Sequence, residues 1–359
     1  MGRLIKKILK AAGILLLVVI VAVVAFFGVL TVTEYKPKDV ENLAVQGNAA
    51  ETISPGDSVS VMTWNIGYGC LGETADFFMD GGTHVRTATK NEVRENMEAI
   101  ISAAKDFSPD IMFYQEVDKK SKRSWKVNEE ELFMEAFPDQ AESFAYNFKT
   151  LYVPYPLPTI GRVESGLLTL SRFETKSADR IKLPSPFTYP VRLANLKRCL
   201  LVNRLELEGS DKELVLVNLH LEAYDSGEGK AAQTALLKEF LEGEAAKGNY
   251  VIAGGDFNQY FSNIDHSMYP VVGEELWQPG FLDVDEFGEN LQFVQDNSSP
   301  SCRSLDKAYR DSDKENFQYY LIDGFLVSDN VKVDSVETKD LGFVNTDHNP
   351  VIMKVTLTE

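Results

Sequence analysis

The chain has 359 residues, a formal net charge of −18 and 44% hydrophobic residues, a composition that excludes extensive disorder and fits one large domain or two small ones. Such an acidic chain repels polyanions, which argues against broad binding of nucleic acid through its phosphate backbone. The three widely spaced cysteines exclude a disulfide framework or a zinc knuckle, although one disulfide is left open for a domain outside the cytoplasm.

The N-terminal segment is predicted to be a membrane-spanning helix. Residues 1–10 are basic, and residues 11–33 contain no charged side chain. With a helical rise of about 1.5 Å per residue, this stretch is long enough to cross a bilayer. The basic residues in front of it place the N-terminus in the cytoplasm and the rest of the chain outside. A cleaved signal peptide is the alternative, but no small-x-small cleavage site is found near Phe27–Glu34, so an uncleaved anchor is favoured.

The remainder is predicted to be a tether followed by one α+β domain. Residues 34–57 contain scattered proline, glycine and charge, which predicts an extended linker, and residues 58–359 form the domain. Hydrophobic periodicity predicts many strands and few helices, with long loops at 67–90 and 262–318. The strands are expected at 59–64, 111–114, 143–153, 166–170, 199–208, 213–219, 250–253, 319–327, 331–337 and 351–357, and the helices at 91–106, 129–137 and 230–246. This pattern predicts two stacked sheets with helices outside.

Polar side chains follow or interrupt several of these strands, and three of them fit a magnesium site. Glu116 follows an apolar strand, where a carboxylate is costly unless it is paired or bound to a metal. Mg²⁺ prefers oxygen ligands, which Asn65, Glu116 and Asp347 would supply. The alternative for Glu116 is a surface glutamate at the end of a strand.

Five further residues are candidates for acid–base chemistry. Asp323 is an acid within an apolar strand, and next to His348 it would fix the tautomer of the imidazole. Asp256 and Asn258 follow two glycines and point the same way, so they could orient a water molecule. His220 ends another apolar strand. The alternatives are ordinary hydrogen-bonded histidines and an Asx-rich turn.

Taken in order, these segments resemble the endonuclease/exonuclease/phosphatase superfamily, which shares the fold of deoxyribonuclease I. The motifs are Met62-Thr63-Trp64-Asn65, Tyr114-Gln115-Glu116, Asn218-Leu219-His220, Gly254-Gly255-Asp256-Phe257-Asn258, Ile322-Asp323-Gly324 and Thr346-Asp347-His348-Asn349-Pro350. The resemblance extends from about Ser58 to the C-terminus. It implies a four-layered αββα sandwich of two stacked mixed sheets. With the transmembrane helix predicted above in front of it, the chain would be a membrane-anchored member of bacterial type.

The resemblance also implies a role for each site residue. It makes Asn65, Glu116 and Asp347 the metal site for Mg²⁺ or Mn²⁺, with no organic cofactor. Its catalytic residues would be the polar groups around the phosphate: His220, Asp256, Asn258, Asp323 and His348. The Asn-Leu-His segment is more similar to sphingomyelinases than to apurinic endonucleases, which carry a tyrosine in place of the histidine.

The sequence therefore predicts a metal-dependent phosphoric ester hydrolase, either a phosphodiesterase or a phosphatase. It would be held in the membrane by one N-terminal helix and act outside the cytoplasm on phospholipid head groups or small phosphoesters. An extracellular nuclease is one alternative, so nucleic acid stays open as a partner but is not favoured. A catalytically inactive binding module of the same fold is a second. The substrate and the oligomeric state are left open.

Overall fold

Two β-sheets stacked face to face, with helices on their outer faces, form the body of the computed structural model, which describes residues 2–225 and 227–358. The helices are α1 (Gly2–Val32), α2 (Lys90–Phe107), α3 (Glu129–Ala136) and α4 (Glu228–Ala246). The strands are β1 (Val40–Leu43), β2 (Ser58–Asn65), β3 (Ile111–Asp118), β4 (Ala141–Val153), β5 (Gly161–Ser171), β6 (Ser177–Lys182), β7 (Cys199–Glu206), β8 (Glu213–His220), β9 (Tyr250–Asp256), β10 (Gln259–Phe261), β11 (Gly280–Leu282), β12 (Leu291–Val294), β13 (Cys302–Arg303), β14 (Tyr319–Tyr320), β15 (Asp323–Ser328), β16 (Val331–Thr338) and β17 (Val351–Leu357).

Each large sheet is mixed and has a parallel pair in its interior. The seven-stranded sheet has the order β1-β6-β7-β8-β9-β15-β12, in which β8 and β9 run parallel. The six-stranded sheet has the order β16-β17-β2-β3-β5-β4, in which β2 and β3 run parallel. The predicted sandwich of two mixed sheets is therefore confirmed. Because parallel strands end on the same side, each sheet brings two strand C-termini to one edge.

Because side chains alternate along the strands, the apolar residues fall into three interfaces, one between the sheets and one between each sheet and its helices. The layer between the sheets includes Val61, Phe113 and Phe325, each with no exposed surface. Outside the six-stranded sheet, α2 packs through residues such as Met97. Outside the seven-stranded sheet, α4 packs through residues such as Leu237. Burying each such side chain contributes roughly 2 kcal/mol, so the same alternation that forms the strands also holds the four layers together.

Helix α2 begins with a capping box and supports the loops beside the parallel strands. The Thr89 hydroxyl accepts a hydrogen bond from the Glu92 amide, and the Glu92 carboxylate accepts one from the Thr89 amide. One turn later, the side-chain amide of Asn96 donates through Nδ2 to the Gly69 carbonyl at 2.9 Å and accepts at Oδ1 from the Asn345 side chain at 3.0 Å. The helix thereby joins the loop after β2 to the segment before β17.

The segment 34–57, predicted as an extended tether, is extended but lies along the domain. Its strand β1 pairs antiparallel with β6 at the edge of the seven-stranded sheet. Ile53 is buried in the core between the sheets, and Gln46 pairs with Glu142. An edge strand of four residues with an apolar and a polar residue on each face gives only a weak sequence signal, which explains why the pairing was not predicted.

Two other regions differ from the sequence prediction. The single strand expected at 319–327 is divided into β14 and β15. At the division, the backbone amides of Ile322 and Asp323 both donate to the Ser301 hydroxyl instead of pairing with a strand. The region 262–318, expected to be irregular, contributes the edge strand β12 to the seven-stranded sheet. The cysteines are buried as free thiols, so the disulfide left open by the sequence is not formed.

Candidate active site

The register of the seven-stranded sheet aligns three of the predicted site residues. His220 on β8 is the direct partner of Asp256 on β9, and Asp256 is also the direct partner of Asp323 on β15. Directly paired residues on neighbouring strands place their side chains on the same face of the sheet. Residues far apart in sequence thus form one continuous row at the strand ends, and all three are buried.

His348 contacts this row from the other sheet. Its Nδ1 atom donates a hydrogen bond to the Asp323 carboxylate at 2.8 Å, which is the contact that the sequence predicted. Its Nε2 atom lies 3.8 Å from Asp256 Oδ2. The backbone is fixed by the Trp64 indole, which donates to the His348 carbonyl, and by a bridge to Cys302. Burial alone would lower the pKa of His348, but the Asp323 carboxylate raises that pKa well above its ordinary value.

His220 and His348 have opposite electrostatic environments. His220 Nε2 lies 3.4 Å from Asp256 Oδ2, and burial lowers the pKa of His220 well below its ordinary value, with a further contribution from Arg198. The Arg198 guanidinium donates to the His220 carbonyl at 3.0 Å. Asp256 therefore lies between a neutral and a charged imidazole. Burial, together with the neighbouring Asp323, raises the pKa of Asp256 to about 7.

The six-stranded sheet carries Asn65 and Glu116 at the ends of its parallel strands. Asn65 is paired with Gln115, and its side-chain amide donates to Glu116 at 3.3 Å and to Asp256 at 3.1 Å. Glu116 has a φ of 61°, in the left-handed region that a non-glycine residue rarely adopts, and the pairing of β3 with β5 shifts register there. Such a backbone irregularity redirects a side chain, here at the edge that faces Asp256.

Asp347 is likewise buried, near the Glu116 carboxylate. Its Oδ1 atom accepts a hydrogen bond from the Thr346 hydroxyl, which also donates to the Asn65 carbonyl. Burial raises the pKa of Asp347. Burial also raises the pKa of Glu116, and the negative charge of Asp347 adds to that shift. Glu116 and Asp347 are thus two buried carboxylates in one cavity. The charge of Arg123 partly offsets that of Glu116, and the charges of His348 and Arg303 partly offset that of Asp347.

Asn258 is next to Asp256 but points its side-chain amide elsewhere. Its backbone amide donates to Asp256 Oδ1 at 2.9 Å, and its Nδ2 atom donates to the Leu221 carbonyl at 2.9 Å. A φ of 52° places Asn258 in the left-handed region, which asparagine tolerates better than most residues. Asn258 thus fixes the orientation of Asp256 and also borders the cavity.

Comparison with known proteins identifies the family. Residues 62–348 match the Endonuclease/Exonuclease/phosphatase family. The chain belongs to this family. Members of the endonuclease/exonuclease/phosphatase family are phosphodiesterases, nucleases and phosphatases, so they are hydrolases that act on phosphoesters. Curated protein sequences give no significant match to the chain.

Solved structures of the family share the fold at low sequence identity. The endonuclease/exonuclease/phosphatase from Bacteroides vulgatus is 15% identical, covering 84% of this chain and 99% of that chain, with a TM-score of 0.53. The protein from Beutenbergia cavernae is 14% identical, covering 84% and 72%, with a TM-score of 0.53. Truncated TDP2 from Caenorhabditis elegans is 17% identical, covering 84% and 98%, with a TM-score of 0.50. These structures support the family fold and leave the substrate open.

The donor set fits the divalent metals that enzymes of this family typically use. Asp256, Asp323 and His348 form one group whose ligand atoms lie within 4.8 Å of one another, and Cys302, Asp347 and His348 form another. Of the two carboxylates predicted as metal ligands, Asp347 belongs to the second group and Glu116 belongs to neither. The Oδ1 atom of Asp323 is buried without a hydrogen-bond partner. Carboxylate oxygens dominate the cluster, and hard cations such as Mg²⁺ and Mn²⁺ prefer oxygen ligands. Buried carboxylates with raised pKa values would be balanced by such a cation.

A cavity of about 400 Å³ opens above these groups. Its floor contains the eight predicted residues apart from Asp323, and its walls are largely apolar. The loops after β2 and β8 meet across it, where the Tyr224 hydroxyl donates to Asp80 at 2.9 Å. Trp277 lies beside Tyr224 and donates to the Ala223 carbonyl. The site is therefore a cavity with a polar floor, largely apolar walls and an aromatic rim.

Sequence reasoning missed several residues that border the site. Arg198, which holds the His220 carbonyl, lies just before β7 in a segment without a motif. Cys302 pairs with His348 through two-residue strand β13, too short for any periodicity. Tyr224 and Asp80 lie in loops whose conformation depends on tertiary contacts.

Proposed function

We propose that this protein is a divalent-metal-dependent phosphoester hydrolase. The observation that carries the proposal is Asp256, a buried carboxylate between two imidazoles of opposite charge preference and beside Asn65. A phosphoester hydrolase needs a group that orients water, a group that donates a proton and a group that balances the developing negative charge. The cluster contains one candidate for each task.

Glu116 and Asp347 would hold the cation, with Asn65 beside them. A bound Mg²⁺ or Mn²⁺ would polarise a phosphoryl oxygen and offset negative charge in the transition state. The Asn65 side-chain amide donates to both Glu116 and Asp256. It would therefore fix the position of the metal ligand Glu116 relative to Asp256, the residue that would orient the water. The role of Asn65 would then be orientation as much as ligation.

Asp256 and His348 would carry out the proton transfers, with Asn258 and His220 holding Asp256 and the phosphate in place. Asp256, with a pKa near neutrality, would accept a proton from water, and the Asn258 backbone amide holds its other oxygen. His348, kept protonated by Asp323, would donate to the phosphoryl or leaving-group oxygen. Neutral His220 would donate a hydrogen bond to the phosphate. Each role needs the protonation state that the surroundings of that residue favour.

We further propose that α1 anchors the protein in a membrane. The helix is apolar and almost wholly exposed, with only 6% of its most apolar 18 residues buried, so it is not a core helix. A signal sequence is the alternative. Residues 11–33 would span the bilayer, residues 1–10 would lie in the cytoplasm, and the domain from residue 58 would lie outside, joined by residues 34–57. The substrates would be phospholipid head groups or small phosphoesters.

The test is a substrate panel with the full-length protein in detergent and added Mg²⁺ or Mn²⁺. The panel contains bis(p-nitrophenyl) phosphate, p-nitrophenyl phosphate, single-stranded and duplex DNA, and dispersed phosphatidylcholine. We expect hydrolysis of at least one non-nucleic phosphoester and a loss of about 10²–10⁴-fold in His348→Ala. Cleavage of DNA alone would instead make the protein a nuclease. No hydrolysis, together with metal-dependent thermal stabilisation, would indicate a binding module.

A further inference from the structure

Two loops border the opening of the cavity. One comprises residues 150–160, the end of β4 with its connection to β5, and it places Val153, Tyr155 and Ile160 on the cavity wall. The other runs from β6 to β7, and it places Phe187 and Leu196 there. The loops are joined by a hydrogen bond from the Thr150 hydroxyl at 3.3 Å to the Leu193 carbonyl. They form a continuous border on one side of the opening.

The same two loops contact the end of α1. The Tyr152 ring packs edge-on against Phe26, with 6.2 Å between ring centroids. Just past the helix, Glu34 is paired with Arg192 and with Lys197, each at 3.3 Å. These contacts fix the opening of the cavity beside the point at which the apolar helix ends. The half-exposed Arg192 side chain lies beside this end of the helix, where anionic head groups of a bilayer would attract it.

These loops also carry apolar side chains that are exposed to solvent. Leu157 is 83% exposed and Tyr155 is 73% exposed. We define the docking surface as the five exposed apolar residues of the two loops: Leu151, Tyr155, Leu157, Tyr189 and Val191. Tyrosine is enriched where proteins cross the boundary between membrane and water, because its ring is amphipathic.

The depth of the contact with α1 fits insertion into a bilayer. Phe26 precedes Thr33, the last residue of the uncharged stretch, by about 10 Å along a helix axis. A loop whose Tyr152 reaches Phe26 therefore extends beside the part of α1 that would lie within the membrane boundary. Surfaces that lie in this boundary region bury their apolar face to a depth of about 5–10 Å.

We propose that the docking surface inserts into the bilayer that holds α1, so that the cavity receives a lipid phosphoester from that same bilayer. The substrate class rests on the proposed hydrolase function, whereas the insertion does not. The apolar walls of the cavity suit the part of a lipid's acyl chains nearest its head group, and the polar floor suits the phosphate. A free head group would have no need of the exposed residues around the opening.

The insertion is tested by site-directed labelling of the full-length protein in vesicles of phosphatidylcholine and phosphatidylglycerol. The native cysteines are buried, so Leu157→Cys, Val191→Cys and the control Asp211→Cys can be labelled selectively with an environment-sensitive fluorophore. Asp211 lies in the turn before β8, at the opposite end of that strand from His220. We expect lipid-borne nitroxide to quench the two loop labels and aqueous iodide to quench the label at Asp211. Equal quenching of all three by iodide would overturn the proposal.

The substrate class is tested by the ratio of two rates. We compare hydrolysis of phospholipid in the same vesicles with hydrolysis of soluble bis(p-nitrophenyl) phosphate, for the wild type, Leu157→Asp/Val191→Asp and the control Asp211→Asn. The loop variant is expected to lower the ratio by about tenfold, because charge is costly in the bilayer. Inserted loops with cleavage of the soluble ester alone would overturn the lipid substrate. Inserted loops with cleavage of neither ester would overturn the hydrolase function and the lipid substrate with it.

Discussion

Asp256 on β9 of the seven-stranded sheet and Glu244 on α4 are both buried carboxylates, but their surroundings shift their pKa values in opposite directions. Glu244 accepts hydrogen bonds from the Arg204 guanidinium, from Lys247 and from Asn249. Burial alone would raise the pKa of Glu244, but these donors lower it to about 2. Asp256 lies beside a second carboxylate, and its pKa is raised to about 7.

The difference separates a carboxylate that stabilises the fold from one held ready for chemistry. Glu244 contacts two cations and an amide, so its charge is fully compensated. Asp256 has partners that are mostly neutral, and the nearest full positive charge, on His348, is shared with Asp323. A cluster of this kind keeps its charge only partly balanced, which is typical of functional sites.

The largest expected effect is on activity, in Asp256→Asn. We expect hydrolysis to fall by about 10²–10⁴-fold, because the amide cannot accept a proton from water. The melting temperature should not fall, because the substitution removes a charge next to Asp323. Parallel measurements of turnover and thermal unfolding check both halves. Retained activity, or a melting temperature several degrees lower, would break the contrast with Glu244.

The converse is expected for Glu244→Gln. Loss of a compensated charge next to Arg204 should lower the free energy of unfolding by about 2 kcal/mol, with turnover unchanged. The matched control is Glu213→Gln, which removes a half-buried partner of the same arginine and should cost less than about 1 kcal/mol. Denaturant unfolding measures both. Equal losses in the two variants would show that burial does not distinguish the carboxylates.

The contribution of Glu244 should also depend on pH in a defined window. Its pKa is lower in the folded state than its ordinary value of 4.5, so its ionised form stabilises the fold at higher pH. The stability difference between wild type and Glu244→Gln should be complete above pH 4.5 and should disappear as pH falls toward about 2. A difference that stays constant down to the acid end would mean that the pKa of Glu244 is not lowered by folding.

The smallest expected effect is at Thr89, an exposed polar group that caps α2. Thr89→Ala should lower the free energy of unfolding by about 1 kcal/mol without changing turnover. Thr89→Ser keeps the hydroxyl and should be nearly neutral. Unfolding curves of the two variants provide the comparison. A loss of activity in Thr89→Ala would mean that α2 positions the site more directly than its contacts indicate.

The sequence was sufficient for the layers and for most of the large strands, because long alternating runs such as Val351–Leu357 have one buried face. It was not sufficient for β1 and β12, short edge strands whose pairing depends on their neighbours. The division of the strand at 319–327 was also missed, because it depends on Ser301, a residue distant in sequence.

For the site, the residue types at the strand ends predicted which side chains belong to it. The sequence did not predict the detailed geometry of those side chains. The acid within an apolar strand led to the hypothesis that Asp323 contacts His348, and the two side chains are in contact. The left-handed backbone of Glu116 and the carbonyl contact of Arg198 leave no local pattern, because tertiary packing imposes them. The roles of the eight site residues stay predictions until variants are measured.

The central claim is that Glu116 and Asp347 hold a divalent cation required for phosphoester hydrolysis. The direct measurement is a titration of Mg²⁺ and of Mn²⁺ into chelator-treated full-length wild type and Glu116→Gln, with bis(p-nitrophenyl) phosphate as substrate. The account predicts no activity in the wild type before metal, saturable recovery with metal, and activity in Glu116→Gln far below the wild type at every concentration. Full wild-type activity in the presence of chelator, or an unchanged titration curve in Glu116→Gln, would contradict it.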